Sequence, residues 1–145
     1  MPTILGPPFP PEYAGLPTHM STEDYTLWLR YRQRLIGRAR ALYFDVNLGA
    51  DAAQTAAAGT LLQNMWRAVN AKRADVVADL GDSVKIIELR NNAQANAVGR
   101  LLTYRMLWAR DPKLKGPVAL ELVTNSNDPD VFDACASFGI VYTVI

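Results

Sequence analysis

The fold is decided by residues 73–90, which have the sequence RADVVADLGDSVKIIELR. Two runs rich in valine and isoleucine flank Gly81 and Asp82, and glycine at the first central position of a two-residue loop is typical of a type II′ hairpin turn. With this turn as the midpoint, counting outward along both strands places Asp75 opposite Glu88. The sequence therefore predicts a β-hairpin that carries two carboxylates side by side.

Two carboxylates in this arrangement need a positive neighbour. Cβ atoms of directly opposed residues lie roughly 4.5–5.5 Å apart, so the two negative charges repel unless a proton, a basic side chain or a metal ion lies between them. Side chains two apart on a strand share a face, so Arg90 points the same way as Glu88. Two interpretations stay open: a divalent metal site at Asp75 and Glu88, or an ion-pair cluster that Arg90 already neutralises.

The spacing of these residues resembles a known nuclease motif. Asp75, a hairpin and Glu88-Leu89-Arg90 are followed by a predicted helix with Gly99-Arg100 and Tyr104, and this order is similar to the PD-(D/E)XK nuclease superfamily. In that superfamily the two acidic positions hold magnesium, the last residue of the triplet is usually lysine, and the helix often carries a glycine-glutamine pair. The resemblance covers about the second half of the chain.

The resemblance implies a fold and a set of site residues. The fold would be α/β, a restriction-endonuclease-like core whose mixed sheet combines an antiparallel hairpin with parallel strands and is flanked by helices. The catalytic residues would be Asp75, Glu88 and Arg90, with Asp75 and Glu88 as the Mg²⁺ ligands. Arg100, which stands at the glutamine position, would face the same cleft and contact DNA. The implied activity is metal-dependent cleavage of phosphodiester bonds in DNA.

Arginine at the lysine position leaves other functions open. A guanidinium is planar and permanently charged, so it is better suited to clamp phosphate or carboxylate than to activate water. The second hypothesis is a catalytically degenerate nuclease-fold protein that serves in assembly, for example as a head-to-tail (neck or adaptor) component of a phage virion. A third is a DNA-binding domain without cleavage activity, whose affinity would fall steeply with salt concentration.

Composition and length exclude several classes of protein. The 145 residues are 50% hydrophobic and 20% charged, as in a single soluble globular domain. The longest apolar runs are too short to span a bilayer, and no basic stretch followed by an apolar block begins the chain. We therefore expect a cytoplasmic or virion location, and neither secretion nor a membrane anchor. The single histidine, His19, and the single cysteine, Cys135, exclude a histidine zinc cluster and an intrachain disulfide.

Residues 1–20 form a proline-rich arm, because the segment GPPFPP at 6–11 is incompatible with a helix or a central strand. We expect polyproline-like extended geometry in the arm and a single nuclease-like domain over 21–145. The arm is either a disordered terminus or a strap that docks on a neighbouring subunit through Phe9 and Tyr13. The second interpretation makes the protein a homo-oligomer.

A basic helix is predicted after the arm. Ser21 followed by acidic residues is a typical helix start, and the apolar spacing predicts a helix that runs to about Tyr43. Arg30, Arg34 and Arg38 recur every four residues on one face of this helix. Such a face is solvated, contacts DNA phosphates or docks on an acidic protein. These three arginines are further candidate DNA contacts.

The remaining segments alternate between strand and helix patterns. We expect a connector over 44–51, an alanine-rich helix over 52–64, a helix over 91–109, a strand over 117–124, a helix from about 128 to 138 and a last strand over 140–145. Residues 65–69 are either the end of the alanine-rich helix or a short strand, and the family resemblance favours the strand. Strand, helix, strand, helix and strand at these lengths imply right-handed crossovers and a sheet that is at least partly parallel.

Overall fold

A computed structural model describes residues 3–17, 19–48 and 73–145 of the chain. Within these residues, five strands form one open mixed sheet in the order β1–β2–β3–β4–β5. The strands are β1 (Ala41–Asn47), β2 (Arg73–Asp79), β3 (Val84–Arg90), β4 (Val118–Thr124) and β5 (Ile140–Val144). The described helices are α1 (Thr22–Tyr31), α2 (Ala95–Arg110) and α3 (Pro129–Ser137), and a 3₁₀ turn (Arg32–Arg34) follows α1. The predicted α/β class with a mixed sheet is confirmed.

The hairpin between β2 and β3 has the predicted register. Val76 pairs with Ile87 across the two antiparallel strands, and the same register continued outward sets Asp75 opposite Glu88. Gly81 in the turn has φ +92°, a left-handed conformation that glycine adopts without steric cost. The counting argument from the sequence is therefore confirmed.

The directions of β2, β3, β4 and β5 follow from the connections between them. β2 is antiparallel to both of its neighbours, whereas β3, β4 and β5 are parallel to one another. A tight turn joins antiparallel strands, but a parallel pair needs a crossover. α2 supplies the crossover from β3 to β4, and α3 supplies the crossover from β4 to β5. No helix in the described part of the chain is long and apolar enough to span a bilayer.

Helices cover both faces of the sheet, so the side chains of its central strands are buried from solvent. On the face of α2 and α3 the core includes Ile86, Leu101 and Trp108. On the face of α1 a second cluster includes Trp28 and Ile87. Ile86 and Ile87 are consecutive in sequence and both fully buried, so β3 meets protein on both sides. A charged side chain on β3 must therefore find a partner inside the fold.

The predicted long helix after the arm is wrong in its second half. α1 ends at Tyr31, a 3₁₀ turn follows, and Gly37 redirects the chain with φ +85°. Residues 41–47 form β1, where the sequence had predicted the end of a helix and the start of a connector. Leu42 fits a helical or an alternating pattern equally well, and pairing with β2 decides in favour of the strand because it satisfies the backbone of the whole segment.

The elements after the hairpin lie close to their predicted positions. β4, α3 and β5 begin and end within a residue or two of the expected limits, and Asp128 caps α3 by accepting from two backbone N–H groups. α2 begins later than predicted, at Ala95, because Asn92 with φ +49° still belongs to the preceding turn. The predicted helix over 52–64 and the predicted strand over 65–69 lie outside the described residues.

The proline-rich arm is extended and lies along β1 of its own chain. The backbone N–H groups of Ile4 and Phe9 each donate to a β1 carbonyl at 2.8 Å. The ring of Phe9 lies 4.5 Å from that of Tyr13 and 5.4 Å from that of Phe44, measured between centroids. Phe9 and Tyr13, the candidate residues for binding a neighbouring subunit, thus contact the sheet of the same chain.

The start of the arm is attached to the far side of the domain. The backbone N–H of Thr3 donates to Oδ2 of Asp111 at 2.7 Å, a contact between residues 108 positions apart in sequence. This hydrogen bond, together with the neighbouring Lys113 ammonium, lowers the pKa of the Asp111 carboxyl. The arm is therefore held at both the sheet edge and the end of α2.

We predict that Gly116→Ala destabilises the fold. Gly116 has φ +99°, and a Cβ built there would collide with the backbone carbonyl of Asp82 in the hairpin turn. Strain of this kind costs about 2 kcal/mol or more in the free energy of unfolding, which urea denaturation would measure. Gly99→Ala is the matched control, because Gly99 lies in α2 with open space around it, and it should stabilise the protein by about 0.5–1 kcal/mol. Equal stability of the two variants would contradict this account.

Candidate functional site

The candidate site is built around Glu88, a carboxylate that is only 1% exposed near the end of β3. Its Oε2 accepts hydrogen bonds from Arg90 Nη2 at 2.8 Å and from Arg100 Nε at 2.9 Å. Arg90 follows on the same face of β3, and Arg100 reaches the site from α2. The side chains of both arginines are more than one-third exposed. One oxygen of a buried carboxylate therefore holds two cations that face solvent on their other side.

The second oxygen of Glu88 has no such support. Oε1 is buried and has no hydrogen-bond partner among the described residues. Leaving a buried polar atom unpaired costs about 1–3 kcal/mol, and more for a charged group. Such an atom is explained by a proton, a bound water or a cation that the polypeptide itself does not supply.

Asp75 provides the second carboxylate of the pair. Its Oδ2 accepts from the backbone N–H of Leu89 at 2.8 Å. Burial, followed by the negative charge of Glu88, raises the pKa of Asp75 well above its ordinary range, and Asp24 on α1 adds to the effect. Within the described residues, both arginines form their ion pairs with Glu88, and Asp75 forms none.

Tyr104 closes the site on the side of α2. Its side chain is fully buried, and its hydroxyl has no hydrogen-bond partner among the described residues. The Arg100 guanidinium lies over its ring, with Cζ 5.7 Å from the centroid. Burial and the charge of Glu88 raise the pKa of Tyr104, so its hydroxyl stays protonated and able to donate.

Two more donors at the end of β3 are buried and unpaired within the described residues. They are Nε of Arg90 and Nδ2 of Asn91. The site therefore combines a buried acceptor, Oε1 of Glu88, with buried donors on Arg90 and Asn91, and none of them has a hydrogen-bond partner among the described residues. Sequence reasoning had placed Asn91 only at the start of a helix, and it had not connected Asp24 with the carboxylate pair.

The other candidate DNA contacts lie elsewhere. Arg30, Arg34 and Arg38 are exposed, but they do not share one helix face, because α1 ends at Tyr31. The stretch that follows Arg38 reaches the hairpin turn, where the Arg40 N–H donates to the Asp79 carbonyl at 2.7 Å.

This end of β2 is four residues from Asp75, which corresponds to about 13 Å along a strand. The structure therefore brings Arg100 to the carboxylates, whereas no hydrogen bond or ion pair among the described residues links Arg30, Arg34 or Arg38 to either carboxylate.

A second buried carboxylate on the α1 face has a different character. Glu121 on β4 accepts from Tyr31 at 2.7 Å and from Thr143 at 2.6 Å, and it pairs with Lys85 at 2.9 Å. Both of its oxygens are satisfied by neighbouring elements, so this cluster is structural. The sequence signal was an acid inside a buried strand, which the analysis of the hairpin alone did not use.

The described residues can supply part of a metal site. Within residues 3–17, 19–48 and 73–145, no group of three or more His, Cys, Asp or Glu side chains is arranged to hold a metal ion. Asp75 and Glu88 would supply two carboxylates, and water or substrate would complete the coordination, which is how Mg²⁺ is usually bound. Cys135 is buried.

Comparisons of the chain with protein-family models, with curated proteins and with solved structures found no match. The functional argument therefore depends on the geometry and chemistry of the site.

We predict that Asp75→Asn stabilises the metal-free protein at neutral and alkaline pH. Because the pKa of Asp75 is raised in the folded state, its ionisation weakens the fold as pH rises from about 4 through that raised pKa. The asparagine keeps an acceptor for the Leu89 N–H but carries no charge. We expect a gain of about 1 kcal/mol or more at pH 8, which vanishes toward pH 4, in thermal unfolding followed by circular dichroism.

The matched control is Asp82→Asn, which removes an exposed carboxylate from the same hairpin. It should leave the pH dependence of the parent protein unchanged. A loss of stability in Asp75→Asn at pH 8 would mean that the arginines stabilise the ionised pair, and would contradict this description of the site.

Proposed function

We propose that this protein is a Mg²⁺-dependent DNA nuclease of the PD-(D/E)XK type. The observation that carries the proposal is the buried Oε1 of Glu88, which has no hydrogen-bond partner among the described residues and lies beside Asp75, whose pKa is raised by burial and then by the charge of Glu88. The order of elements supports it, because three consecutive antiparallel strands are followed by helix, strand, helix and strand. This is the order that the family resemblance implies for a restriction-endonuclease-like core.

The residues present fit a magnesium ion. Asp75 and Glu88 offer carboxylate oxygens, the ligand type that Mg²⁺ prefers. When bound, the ion supplies Lewis-acid stabilisation of the phosphate and a lowered pKa for a coordinated water. It would also relieve the repulsion between the two carboxylates, which is the electrostatic defect of the metal-free site.

The arginines are suited to bind the phosphate. Arg90 and Arg100 each use one nitrogen on Glu88, and their side chains are partly exposed, so N–H groups that do not bind Glu88 would clamp a phosphate that enters from solvent. The phosphate would gain negative charge during cleavage, and two fixed cations would stabilise it. The Tyr104 hydroxyl is a further buried donor next to Arg100.

The remaining arginines would bind DNA away from the reaction. Arg30, Arg34 and Arg38 are exposed, and the stretch that follows Arg38 reaches the hairpin-turn end of the sheet through Arg40. At that position they would contact backbone phosphates flanking the one that is cleaved. Their contribution would be affinity without sequence preference.

A second candidate function is favoured by the ion pairs themselves. Arg90 and Arg100 both bind Glu88, so two positive charges already face the two negative charges of the pair. This arrangement is expected for a catalytically degenerate nuclease-fold protein that acts in assembly, for example in the head-to-tail region of a phage virion. It predicts that no divalent metal binds.

Calorimetric titration of Mg²⁺ and of Mn²⁺ into the protein tests the choice between these functions. We expect binding in the parent protein and its loss in Asp75→Asn and in Glu88→Gln, since each variant removes one anionic ligand. Absence of binding in the parent protein would overturn the nuclease proposal and favour the assembly function. Asp82→Asn again serves as the control and should bind as the parent does.

Cleavage is then measured on supercoiled, linear and single-stranded DNA with either metal. We expect Asp75→Asn and Glu88→Gln to lose at least about 100-fold in rate, the usual scale for removing a group that stabilises transition-state charge. Arg90→Lys should keep activity or raise it, because lysine also provides a cation there and can lie beside an attacking water. Intact DNA under conditions in which a control nuclease cleaves it would contradict the proposal.

We predict that the three distant arginines set the salt dependence of DNA binding. Substituting alanine for Arg30, Arg34 and Arg38 together should reduce the slope of log K against log salt by about 2–3, because each phosphate contact contributes about 0.9 for duplex DNA. Fluorescence anisotropy with Asp75→Asn as background measures binding without cleavage.

The matched control for this measurement replaces three other exposed cations, Arg105, Arg110 and Lys115. It changes the net charge by the same amount and should leave the slope nearly unchanged. An equal fall in slope for both triple variants would assign the effect to net charge alone.

A further inference from the structure

The two edge strands of the sheet differ in whether another described segment pairs with them. The β1 edge is covered by the arm, whose backbone hydrogen-bonds to it. β5 is the last strand at the other edge, and no further described strand pairs with it. An uncovered edge presents unpaired backbone N–H and C=O groups that can pair with another strand.

The free backbone groups of β5 can be identified from its pairing with β4. The N–H of Ile145 donates to the Thr124 carbonyl at 2.9 Å, and backbone groups of successive strand residues point to alternate sides. The N–H and C=O groups of Ile140, Tyr142 and Val144 therefore point away from β4. Three residues of one strand are thus available for pairing in the plane of the sheet.

The sequence around this edge lacks the usual protection against pairing. Natural edge strands carry charged residues, prolines or bulges, whereas residues 139–145 are GIVYTVI, with no charge and no proline. Exposed apolar side chains adjoin the edge, with Val141 at 49% and Val144 at 44% exposure. Phe132 on α3 and Phe138, the residue that caps its C-terminal end, are each 51% exposed. Val144 lies on the same sheet face as these two rings, whereas Val141 lies on the opposite face, so the open edge has exposed apolar side chains on both of its faces.

We propose that β5 pairs antiparallel with β5 of a second copy of this chain, which joins two sheets into one of ten strands. Centred on Tyr142, this pairing sets Ile140 of one copy opposite Val144 of the other, and Val141 opposite Thr143. Each pair is uncharged and combines β-branched side chains, which are favourable cross-strand neighbours. The outward-pointing backbone groups of Ile140, Tyr142 and Val144 then form hydrogen bonds with the second copy. The strand is therefore complementary to itself, as a two-fold symmetric interface requires.

The helices support the same arrangement. A two-fold axis perpendicular to the sheet keeps α3 of both copies on the same face, so Phe132 and Phe138 of the two copies flank the shared strands. Covering these rings would remove the largest exposed apolar side chains of α3 from water. The inference is independent of the proposed nuclease function, since none of these residues belongs to the carboxylate site.

The test is the molar mass of the full-length protein, measured by light scattering after size exclusion. At about 100 μM, well above a micromolar dissociation constant, we expect the parent chain of 16.0 kDa to elute as a dimer. Val144→Pro removes an outward N–H that makes no hydrogen bond with the described residues, and proline is tolerated on edge strands. This variant should be monomeric, with dimerisation at least about 10-fold weaker, the effect of losing about 1.4 kcal/mol.

Val144→Thr is the matched control, because threonine keeps both the N–H and the β-branched shape, and it should remain dimeric. Unfolding followed by circular dichroism verifies that each variant is folded. If Val144→Pro fails to fold, Val144→Lys replaces it, since it sets a lysine on each copy near the shared edge and should also give a monomer. A monomeric parent protein, or a dimeric Val144→Pro or Val144→Lys variant, would overturn the proposal.

Discussion

The burial of Glu88 is the constraint on which the carboxylate end of the sheet depends. An ionised carboxylate that is 1% exposed loses hydration worth several kcal/mol, so it requires cations at hydrogen-bond distance. One cation, Arg90, is carried by β3 itself, and the other, Arg100, comes from α2. The crossover helix is therefore fixed to the sheet by charge at one end as well as by apolar packing along its length.

The described part of the domain contains two buried glutamates, Glu88 and Glu121, whose carboxylates are hydrogen-bonded in different ways. Glu121 has hydrogen-bond or ion-pair partners from three other elements on both oxygens. Glu88 concentrates two guanidinium groups on one oxygen and leaves the other unpaired. A fully satisfied network rigidifies the fold, whereas a half-satisfied network is costly unless something further binds. The contrast between the two clusters within one sheet distinguishes a structural group from a candidate reaction centre.

The parts of the structure that could be predicted from the sequence depend on short-range rules. The hairpin register could be obtained by counting outward from Gly81. Asp128 marked the start of α3 because helix capping depends only on neighbouring residues. β1 was missed because Leu42 suits a helix and a strand equally, and only its pairing with β2 decides.

The environment of the site was harder to anticipate. Oε2 of Glu88 accepts from Arg100 because α2 packs against β3 at that point, and the packing of α2 has no local sequence signal. The contact of the arm with β1 depends on a strand that local patterns did not reveal. Such contacts join residues far apart in sequence and have no local signature.

The hydrogen bond between Thr3 and Asp111 has a consequence for biosynthesis. Thr3 is synthesised 108 residues before its partner Asp111, which corresponds to roughly 5–20 s at usual rates of translation. During that interval the start of the arm lacks this hydrogen bond. The arm is thus fully fastened only after α2 has been made, and a nascent chain spends the interval with Thr3 accessible to chaperones and proteases.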